Sequence, residues 1–299
     1  MNVLSLLVEP VYWSAHMNRR LAALSAAVLL SLPALAACAP QADPEPRAGS
    51  GCGKDSLSLV TSGTLTIGTD KPAYEPWFSG DDPANGKGFE SAVAYAVAER
   101  LGFAKDDVTW ATVPFNSAIA PGPKKFDFDV NQVSISDERR GAVDFSSGYY
   151  DVRQAVIALK SSKAALATSL AELKGAKLGA QVGTTSLDVV QNVIAPTTKP
   201  AIFQKNDLAK TALKNGQVDA IVVDLPTAFY ITAAEVPEAK IVGQFAGGAA
   251  PEKFGLVLDK GSALTSCVNA AVDALRADGT LAKLEQKWLA DVAGAPVLK

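Results

Sequence analysis

From Thr64 onward, short apolar runs with the period of a β-strand alternate with stretches that have the period of an α-helix. Leu65 to Asp70 alternates as a strand does, and Phe89 to Leu101 places apolar side chains on one helical face before Gly102 stops it. Strands that alternate with helices pack as a mostly parallel sheet with helices on its faces. The order of elements therefore predicts an α/β fold.

The same alternation continues towards the end of the chain. Further strands are predicted over 108–113, 126–135, 154–159, 177–181, 201–203, 218–223, 241–245 and 255–258. Further helices are predicted over 169–173, 186–194, 207–214, 227–235, 264–275 and 281–289. About 245 residues in two such α/β sets are more than one hydrophobic core usually holds, so we expect two lobes.

The strand predicted over 126–135 leads into Ser134-Ile-Ser-Asp-Glu-Arg139, which places a guanidinium beside hydroxyl groups. Arg139 can donate two parallel N–H bonds to a carboxylate, and Ser134 can add a further donor. The alternative is a solvated helical turn with Ser136 as its N-cap. This stretch alone does not decide between anion recognition and a surface turn.

Other polar residues also stand at the ends of predicted strands. Asp70 opens a long aromatic loop, and long loops at strand ends commonly carry function. Thr184 and Thr185 precede a predicted helix, where backbone N–H groups bind anions or a hydroxyl simply caps the helix. Asp224 follows a strand and can accept from an ammonium group or cap the next helix.

One spacing suggests a calcium loop and is rejected. Asp127, Asp129, Asn131 and Glu138 fall on the ligand positions of such a loop, but Gln132 stands where its sharp turn needs glycine. The apolar alternation there is that of a strand. We therefore expect no metal site.

The N-terminal stretch has the features of a targeting segment. Basic Met17-Asn-Arg-Arg20 precedes an apolar run that is too short to span a bilayer, and small residues then lead to Cys38. This pattern resembles a bacterial lipoprotein signal, in which the cysteine becomes the acylated N-terminus. We expect residues 1–37 to be a signal peptide, with Met17 as the alternative start, and residues 38–53 to form a flexible tether rich in Pro and Gly.

Removal of the signal would change the charge and the titratable groups of the chain. One acidic and two basic residues leave with 1–37, so the formal net charge moves from −3 to −4, which argues against nucleic acid as a partner. The sole histidine, His16, leaves too, which excludes histidine catalysis and imidazole metal sites. With Cys38 lipidated, Cys52 and Cys267 remain as an even pair in an oxidising exterior, and we predict that they form a disulfide.

Across about residues 54–299, the chain resembles the extracellular solute-binding proteins of ABC importers, in the branch that binds polar amino acids. The resemblance rests on the order and spacing of Leu65-Thr-Ile-Gly-Thr-Asp70, Gly88-Phe89, Val113-Pro-Phe115, Ser134-Ile-Ser-Asp-Glu-Arg139, Val143-Asp-Phe-Ser146 with Tyr149-Tyr150, Leu173-Lys-Gly175, Gly183-Thr-Thr185, Gly216-Gln-Val-Asp-Ala220 and Val223-Asp224. No single piece is specific, whereas the series is.

The resemblance implies a type II periplasmic-binding-protein fold, in which two lobes are joined by two crossing segments with the ligand in the cleft between them. We expect the crossings near 150–154 and 245–252. Lobe one would then be residues 54–150 plus 247–299, and lobe two residues 153–246.

The resemblance also implies roles for the candidate residues. Arg139 would pair with the α-carboxylate of an amino acid, assisted by Ser134, Thr184 and Thr185, while Asp224 would accept its α-ammonium group. The ligand side chain would meet Asp70, Glu75 and Gln132, with an aromatic wall of Tyr74, Trp77 and Phe115. Glu90-Ser91 departs from the acidic pair of the family, which we expect to concern the helix more than the pocket.

The function implied is that of an extracytoplasmic, lipid-anchored monomer that captures a polar or cationic amino acid for delivery to an ABC permease. No cofactor, no nucleic acid and no membrane contact beyond the lipid are expected. The alternative is an enzyme on the same scaffold, a cyclic-acid dehydratase with Glu75 as general acid. Asp224 argues against that alternative because it suits an ammonium-bearing ligand.

Overall fold

The computed structural model describes residues 51–246, 251–289 and 295–299. The predicted signal peptide over 1–37, the predicted lipid site at Cys38 and most of the predicted tether lie outside the described residues. None of the described helices has the length and apolar character needed to cross a bilayer.

The elements follow the predicted α/β order. The strands are β1 (Leu65–Thr69), β2 (Val108–Thr112), β3 (Phe128–Asp129), β4 (Asp144–Phe145), β5 (Tyr150–Val152), β6 (Gln154–Leu159), β7 (Leu178–Gln181), β8 (Ala201–Phe203), β9 (Ala220–Asp224), β10 (Ala239–Phe245), β11 (Glu252–Phe254), β12 (Val257–Leu258) and β13 (Val297–Leu298). The helices are α1 (Phe89–Arg100), α2 (Phe115–Ile119), α3 (Asp137–Arg140), α4 (Leu170–Leu173), α5 (Thr185–Asp188), α6 (Asn206–Lys214), α7 (Leu225–Tyr230), α8 (Thr265–Ala277) and α9 (Thr280–Leu289). Helices α5 and α7 continue as π-helical turns over Val189–Ile194 and Ile231–Glu235.

In the described part of the chain, eleven of these strands form two sheets, in the orders β2-β1-β3-β12-β4 and β13-β10-β6-β9-β7-β8, and β5 pairs with β11 alone. Strand β1 runs parallel to β2 and β3, and β7 runs parallel to β8 and β9. Strands β6 and β12 run antiparallel to their neighbours. Each is the first strand that the chain forms after it has crossed from the other sheet. Both sheets are therefore mixed rather than mostly parallel.

The two α/β parts are joined by a pair of crossing strands. Strand β5 leads out of the first sheet into β6, and β11 leads back into β12. These strands pair antiparallel, with Tyr150 opposite Phe254 and Val152 opposite Glu252. Strand β5 lies within the first predicted crossing, 150–154, whereas β11 begins at the last residue of the second, 245–252, of which residues 247–250 lie outside the described residues. The architecture is the predicted two-lobed α/β fold.

An aromatic cluster fills the first core next to the crossings. Trp77 is fully buried, and its ring packs edge-on against Phe254 with centroids 5.5 Å apart. Phe89 and Tyr150 complete this cluster with centroids 5.4 Å apart. Trp77 therefore belongs to the core, and its predicted place in an aromatic wall around a ligand is wrong, because a ring this deeply packed has no face left for a ligand.

The predicted disulfide is present between Cys52 and Cys267, whose Cα atoms lie 5.3 Å apart. It ties the start of the described chain to α8, which packs on the same core as α1. The bond closes a separation of 215 residues. The first α/β part is thus fastened between its N-terminal and C-terminal segments.

The long strand predicted over 126–135 is wrong, because only β3 is regular there. Gln132 adopts a left-handed backbone with φ of 49°, which turns the chain away from the sheet. Phe126, Val130 and Val133 are buried outside the ladder, so their alternation reflects burial on two sides rather than strand pairing. The turn at Gln132 aims the following residues at the space between the two sheets.

Candidate functional site

A pocket lies at the carboxyl ends of β1, β3, β7 and β9, the edge at which ligands bind in α/β sheets. All predicted site residues except Glu75 and Trp77 line it, namely Asp70, Tyr74, Phe115, Gln132, Ser134, Arg139, Thr184, Thr185 and Asp224. The other lining residues are Asn131, which the family resemblance sets at the pocket floor, and Gln181, Ser186, Asn206 and Val223, to which the sequence assigned no site role.

Arg139 lies on the short helix α3 and lines the pocket, and the predicted N-cap at Ser136 is present. The Ser136 hydroxyl accepts from the Arg139 backbone N–H at 3.2 Å and so caps the helix. The guanidinium donates to the carbonyl of Ser134 at 2.6 Å and to the carbonyl of Gly183 at 2.9 Å. Burial lowers the pKa of Arg139 from its usual value, although an arginine remains a cation.

Two further contacts orient the guanidinium. Its Cζ lies 5.7 Å from the centroid of the Phe115 ring, a cation–π distance. Gly183 has φ of 75°, and a Cβ there would lie 2.3 Å from Asn116 Oδ1, so this turn requires glycine. Because Gly183 follows β7 and Arg139 follows β3, the guanidinium links the two α/β parts across the pocket.

Two threonines before α5 differ in their contacts. Thr184 is the N-cap of α5, and its hydroxyl accepts from the Leu187 N–H at 3.2 Å and donates to the Gln181 carbonyl at 2.7 Å. Thr185 instead directs its hydroxyl towards the crossing strand β11, donating to Glu252 at 2.7 Å. Its hydroxyl also lies 3.4 Å from the Ser134 hydroxyl.

Glu252 is a residue that sequence reasoning missed. Its carboxylate accepts hydrogen bonds from Ser134 Oγ, Thr185 Oγ1 and Gln154 Nε2. Ser134 and Thr185 are the donors predicted to bind the α-carboxylate of a ligand, so an internal carboxylate already contacts them. The signal for it was its place at the end of the predicted second crossing.

Asp224 ends β9 opposite this network. Its side chain makes no capping hydrogen bond to α7, so the capping alternative does not apply. Gln154 Nε2 donates to the Asp224 carboxylate at 2.8 Å, and the side-chain oxygen of Gln154, Oε1, accepts from the Ser186 hydroxyl at 2.6 Å. Removal from water, and then the negative charge of Glu252, raise the pKa of Asp224 to about 8.

Asp70 marks the other end of the pocket. Its carboxylate accepts from the backbone N–H groups of Lys71 at 2.6 Å and of Phe115 at 3.2 Å. The Lys205 ammonium lies 3.5 Å from Asp70 Oδ1. Glu75 lies outside the lining, and its carboxylate accepts from the Gly80 N–H at 3.0 Å, which places it in the loop rather than beside a ligand.

Glu90 supports the pocket floor from within α1. Its buried carboxylate accepts from the Gln132 backbone N–H at 2.8 Å, from the Gln132 side chain and from the Tyr149 hydroxyl. Burial raises the pKa of Glu90 to about 7. The expectation that Glu90 concerns the helix more than the pocket is therefore wrong, because its carboxylate accepts from Gln132, which adopts a left-handed turn at the pocket.

The arrangement suits a small ligand that carries both charges. A fixed guanidinium with neighbouring hydroxyls can bind a carboxylate, and Asp224 in its ionised form can accept from an ammonium group. Polar side chains form most of the remaining lining, with Phe115 and Tyr74 as its aromatic members.

Comparison with known proteins gives a consistent result. The model of the family described as bacterial extracellular solute-binding proteins, family 3, matches residues 65–291. The chain is 31% identical to the L-cystine-binding protein TcyJ of Escherichia coli (strain K12), over 79% of this chain and 85% of that protein. It is 28% identical to the L-arginine-binding protein of Pseudomonas aeruginosa, over 80% of this chain and 96% of that protein.

A solved structure with the same fold is that of an ancestral arginine-binding protein bound to glutamine. It superposes with a TM-score of 0.65 at 33% identity, over 76% of this chain and 98% of that chain. The relatives therefore share one architecture and are named for different amino acids.

Proposed function

The chain belongs to family 3 of the bacterial extracellular solute-binding proteins, and from this premise we propose that it captures an amino acid between its lobes for an ABC permease. The relatives named above are binding proteins for cystine and arginine, which supports an amino acid as the ligand. Binding an amino acid and delivering it to a permease require no covalent bond to be made or broken.

One observation carries the proposal: Arg139 and Asp224 line the same pocket. Arg139 would bind the α-carboxylate with help from Ser134, Thr184 and Thr185, and Asp224 would accept the α-ammonium group. An amino acid presents these two charges on one carbon atom, so a pocket with a cation and a carboxylate matches it in charge.

We assign residues 54–150 and 251–289 to lobe one and residues 153–246 to lobe two. Strand β13 pairs with β10, so we place the C-terminal strand in lobe two rather than in lobe one. Contacts between the proposed lobes, such as Arg139 to Gly183 at 2.9 Å and Trp77 Nε1 to Thr227 Oγ1 at 2.9 Å, would hold them closed. A ligand that contacts both lobes favours this closed state.

The location proposed is the outer face of the cell membrane. Lipid on Cys38 would anchor the protein, and residues 39–53 would act as the tether. Cys38→Ser should move the protein from the membrane fraction to the soluble fraction. If the wild-type protein and Cys38→Ser partition identically, the proposed lipid anchor is wrong.

An enzymatic role is not proposed. The dehydratase alternative relied on Glu75 as general acid, and Glu75 does not line the pocket. The named relatives are binding proteins, which supports binding without turnover.

The test is a thermal-shift screen of the common amino acids followed by titration calorimetry of the hits. A ligand that binds only the native protein raises its melting temperature. Arg139→Ala should weaken binding about 100-fold or more, because two charge-assisted hydrogen bonds to the carboxylate are lost. The matched control is Arg140→Ala, an exposed arginine on the same helix. Absence of any shift with any amino acid would overturn the proposal.

A further inference from the structure

Resting on the proposed function, we propose that this pocket selects amino acids with a neutral hydrogen-bonding side chain, and that Lys205 excludes cationic ones by occupying Asp70. The relatives do not decide this point, since one is named for arginine and another for cystine.

Asp70 is the carboxylate that a cationic ligand side chain would need. It follows β1, lines the pocket opposite the Asp224 end and is only 11% exposed. Asp224 is reserved for the α-ammonium group in the proposed binding mode. Among the described lining residues, that leaves Asp70 as the carboxylate available to a second cation.

The Asp70 carboxylate already pairs with a cation, Lys205, from the other lobe. The Lys205 ammonium lies 3.5 Å from Asp70 Oδ1 and also donates to the Lys71 carbonyl. Two backbone N–H groups, of Lys71 and Phe115, take further acceptor positions on the same carboxylate. A ligand guanidinium or ammonium would have to displace Lys205, whose side chain is 42% exposed, or lie beside it, and like charges at such distances repel.

The acidic residues that surround Tyr74 are also paired. Asp207 and Glu235 both accept from Lys210, with Asp207 Oδ1 at 2.9 Å from its ammonium. These carboxylates therefore do not offer a second site for a ligand cation. Next to Lys205, Asn206 lines the pocket, and with Asn131, Gln132 and Gln181 it supplies amides that both donate and accept.

A neutral amide or hydroxyl side chain meets no like charge here. It can donate to an amide oxygen or accept from an amide N–H group of the lining. A site built from such groups favours ligands that return the hydrogen bonds and rejects those that leave them unpaired.

The test is titration calorimetry of the full chain with glutamine, asparagine, arginine and lysine. Wild-type protein should bind the better of the two amides at least about tenfold more tightly than either cation. Lys205→Met should strengthen arginine binding about tenfold or more, while glutamine binding changes less than about threefold, because only the cation gains access to a free carboxylate.

Two controls make the result specific. Lys214→Met removes the same charge from the exposed far end of α6 and should leave the preference unchanged. The double variant Lys205→Met with Asp70→Asn should lose the gain in arginine affinity, which shows that the gain acts through Asp70.

The outcomes separate this inference from the proposed function. Binding of arginine or lysine at least as tightly as the better amide, or a preference that Lys205→Met does not alter, overturns the inference and leaves amino-acid capture standing. Binding of no amino acid at all overturns the proposed function, and the inference falls with it.

Discussion

Thr185 Oγ1 donates a hydrogen bond to Glu252 Oε1 over 2.7 Å, which joins the start of α5 to the crossing strand β11. The carboxylate of Glu252 thereby contacts a hydroxyl that faces the pocket, and Ser134 contacts it as well. An amino acid whose carboxylate approaches Arg139 must share these donors with Glu252. In the proposed binding mode, the charge of the Glu252 side chain would therefore oppose the ligand carboxylate.

Removal of the Glu252 charge should strengthen binding. Glu252→Gln keeps an acceptor for Thr185, removes a repulsive charge and lowers the pKa of Asp224, so we expect about a threefold to tenfold gain in affinity at pH 7. Titration calorimetry measures it, with Glu238→Gln as the exposed control. Weaker binding in the Glu252 variant would show instead that its charge organises the hydroxyls for the ligand.

Binding should depend on pH through Asp224. Its pKa of about 8 means that the carboxyl is mostly protonated at pH 6, and only the ionised form accepts from an ammonium group. The affinity should rise up to about tenfold between pH 6 and pH 7, rise further to pH 8 and level off above it, with a proton released on binding. Asp224→Asn should bind weakly without this dependence. Calorimetry in buffers of different ionisation enthalpy counts the proton, and uptake or no release would contradict the assignment.

The same group should make the ligand-free protein less stable as the pH rises. The pKa of Asp224 in the folded state, about 8, lies above the usual aspartate value of ~3.9, so the folded state holds a proton that the unfolded state releases. Its contribution to the free energy of unfolding is fully present below about pH 4 and is lost as the pH rises to about 8. Denaturant melts across this pH window measure the free energy of unfolding. It should fall less steeply with rising pH in Asp224→Asn than in wild type.

Glu90 should position Gln132 at the pocket floor. Glu90→Ala leaves the Gln132 backbone N–H and the Tyr149 hydroxyl without their shared acceptor, which should cost about 1–3 kcal/mol in the free energy of unfolding. Ligand affinity should also fall, by about tenfold, as the left-handed turn at Gln132 loosens. The control is Glu99→Ala, which removes an exposed carboxylate from the same helix. A loss of stability with unaltered affinity would limit Glu90 to a structural role.

The disulfide should contribute stability without taking part in binding. In the chain-entropy model, a bond between Cys52 and Cys267 across 215 residues is worth about 5 kcal/mol in the free energy of unfolding. Reduction should therefore lower the melting temperature, while affinity well below that temperature is unchanged. In the unreduced, denatured and unlipidated chain we expect one reactive thiol, from Cys38. Detection of three thiols before reduction would contradict the bond.

Local patterns predicted most of the architecture. The period of the apolar residues identified β1, α1 and the later βαβ units because one face of each is buried, and burial leaves a direct mark on the sequence. The same logic misjudged residues 126–135, where the side chains alternate but the backbone turns at Gln132. Burial on two sides produces alternation without a ladder, and no local signal separates the two cases.

The site was predictable where a residue stands at the end of a strand. Asp70, Arg139 and Asp224 follow strands whose carboxyl ends meet at one edge, so their convergence follows from the fold. Glu75 stands in the same loop as Asp70, but its carboxylate accepts from the Gly80 N–H and so caps a turn of that loop. The side chain therefore does not line the pocket. Position along the chain did not distinguish these two acids.

The sequence by itself determined the order of α/β elements, the family resemblance, the even cysteine pair and the strand-end residues that face the pocket. Only the tertiary structure decided that Glu252 meets Thr185 across 67 residues, and that Lys205 meets Asp70 across 135 residues. Periodicity reports which face of an element is buried, because that depends on near neighbours. Which distant charge faces another depends on strand register and on how the lobes close, and these arise only when the whole chain has packed.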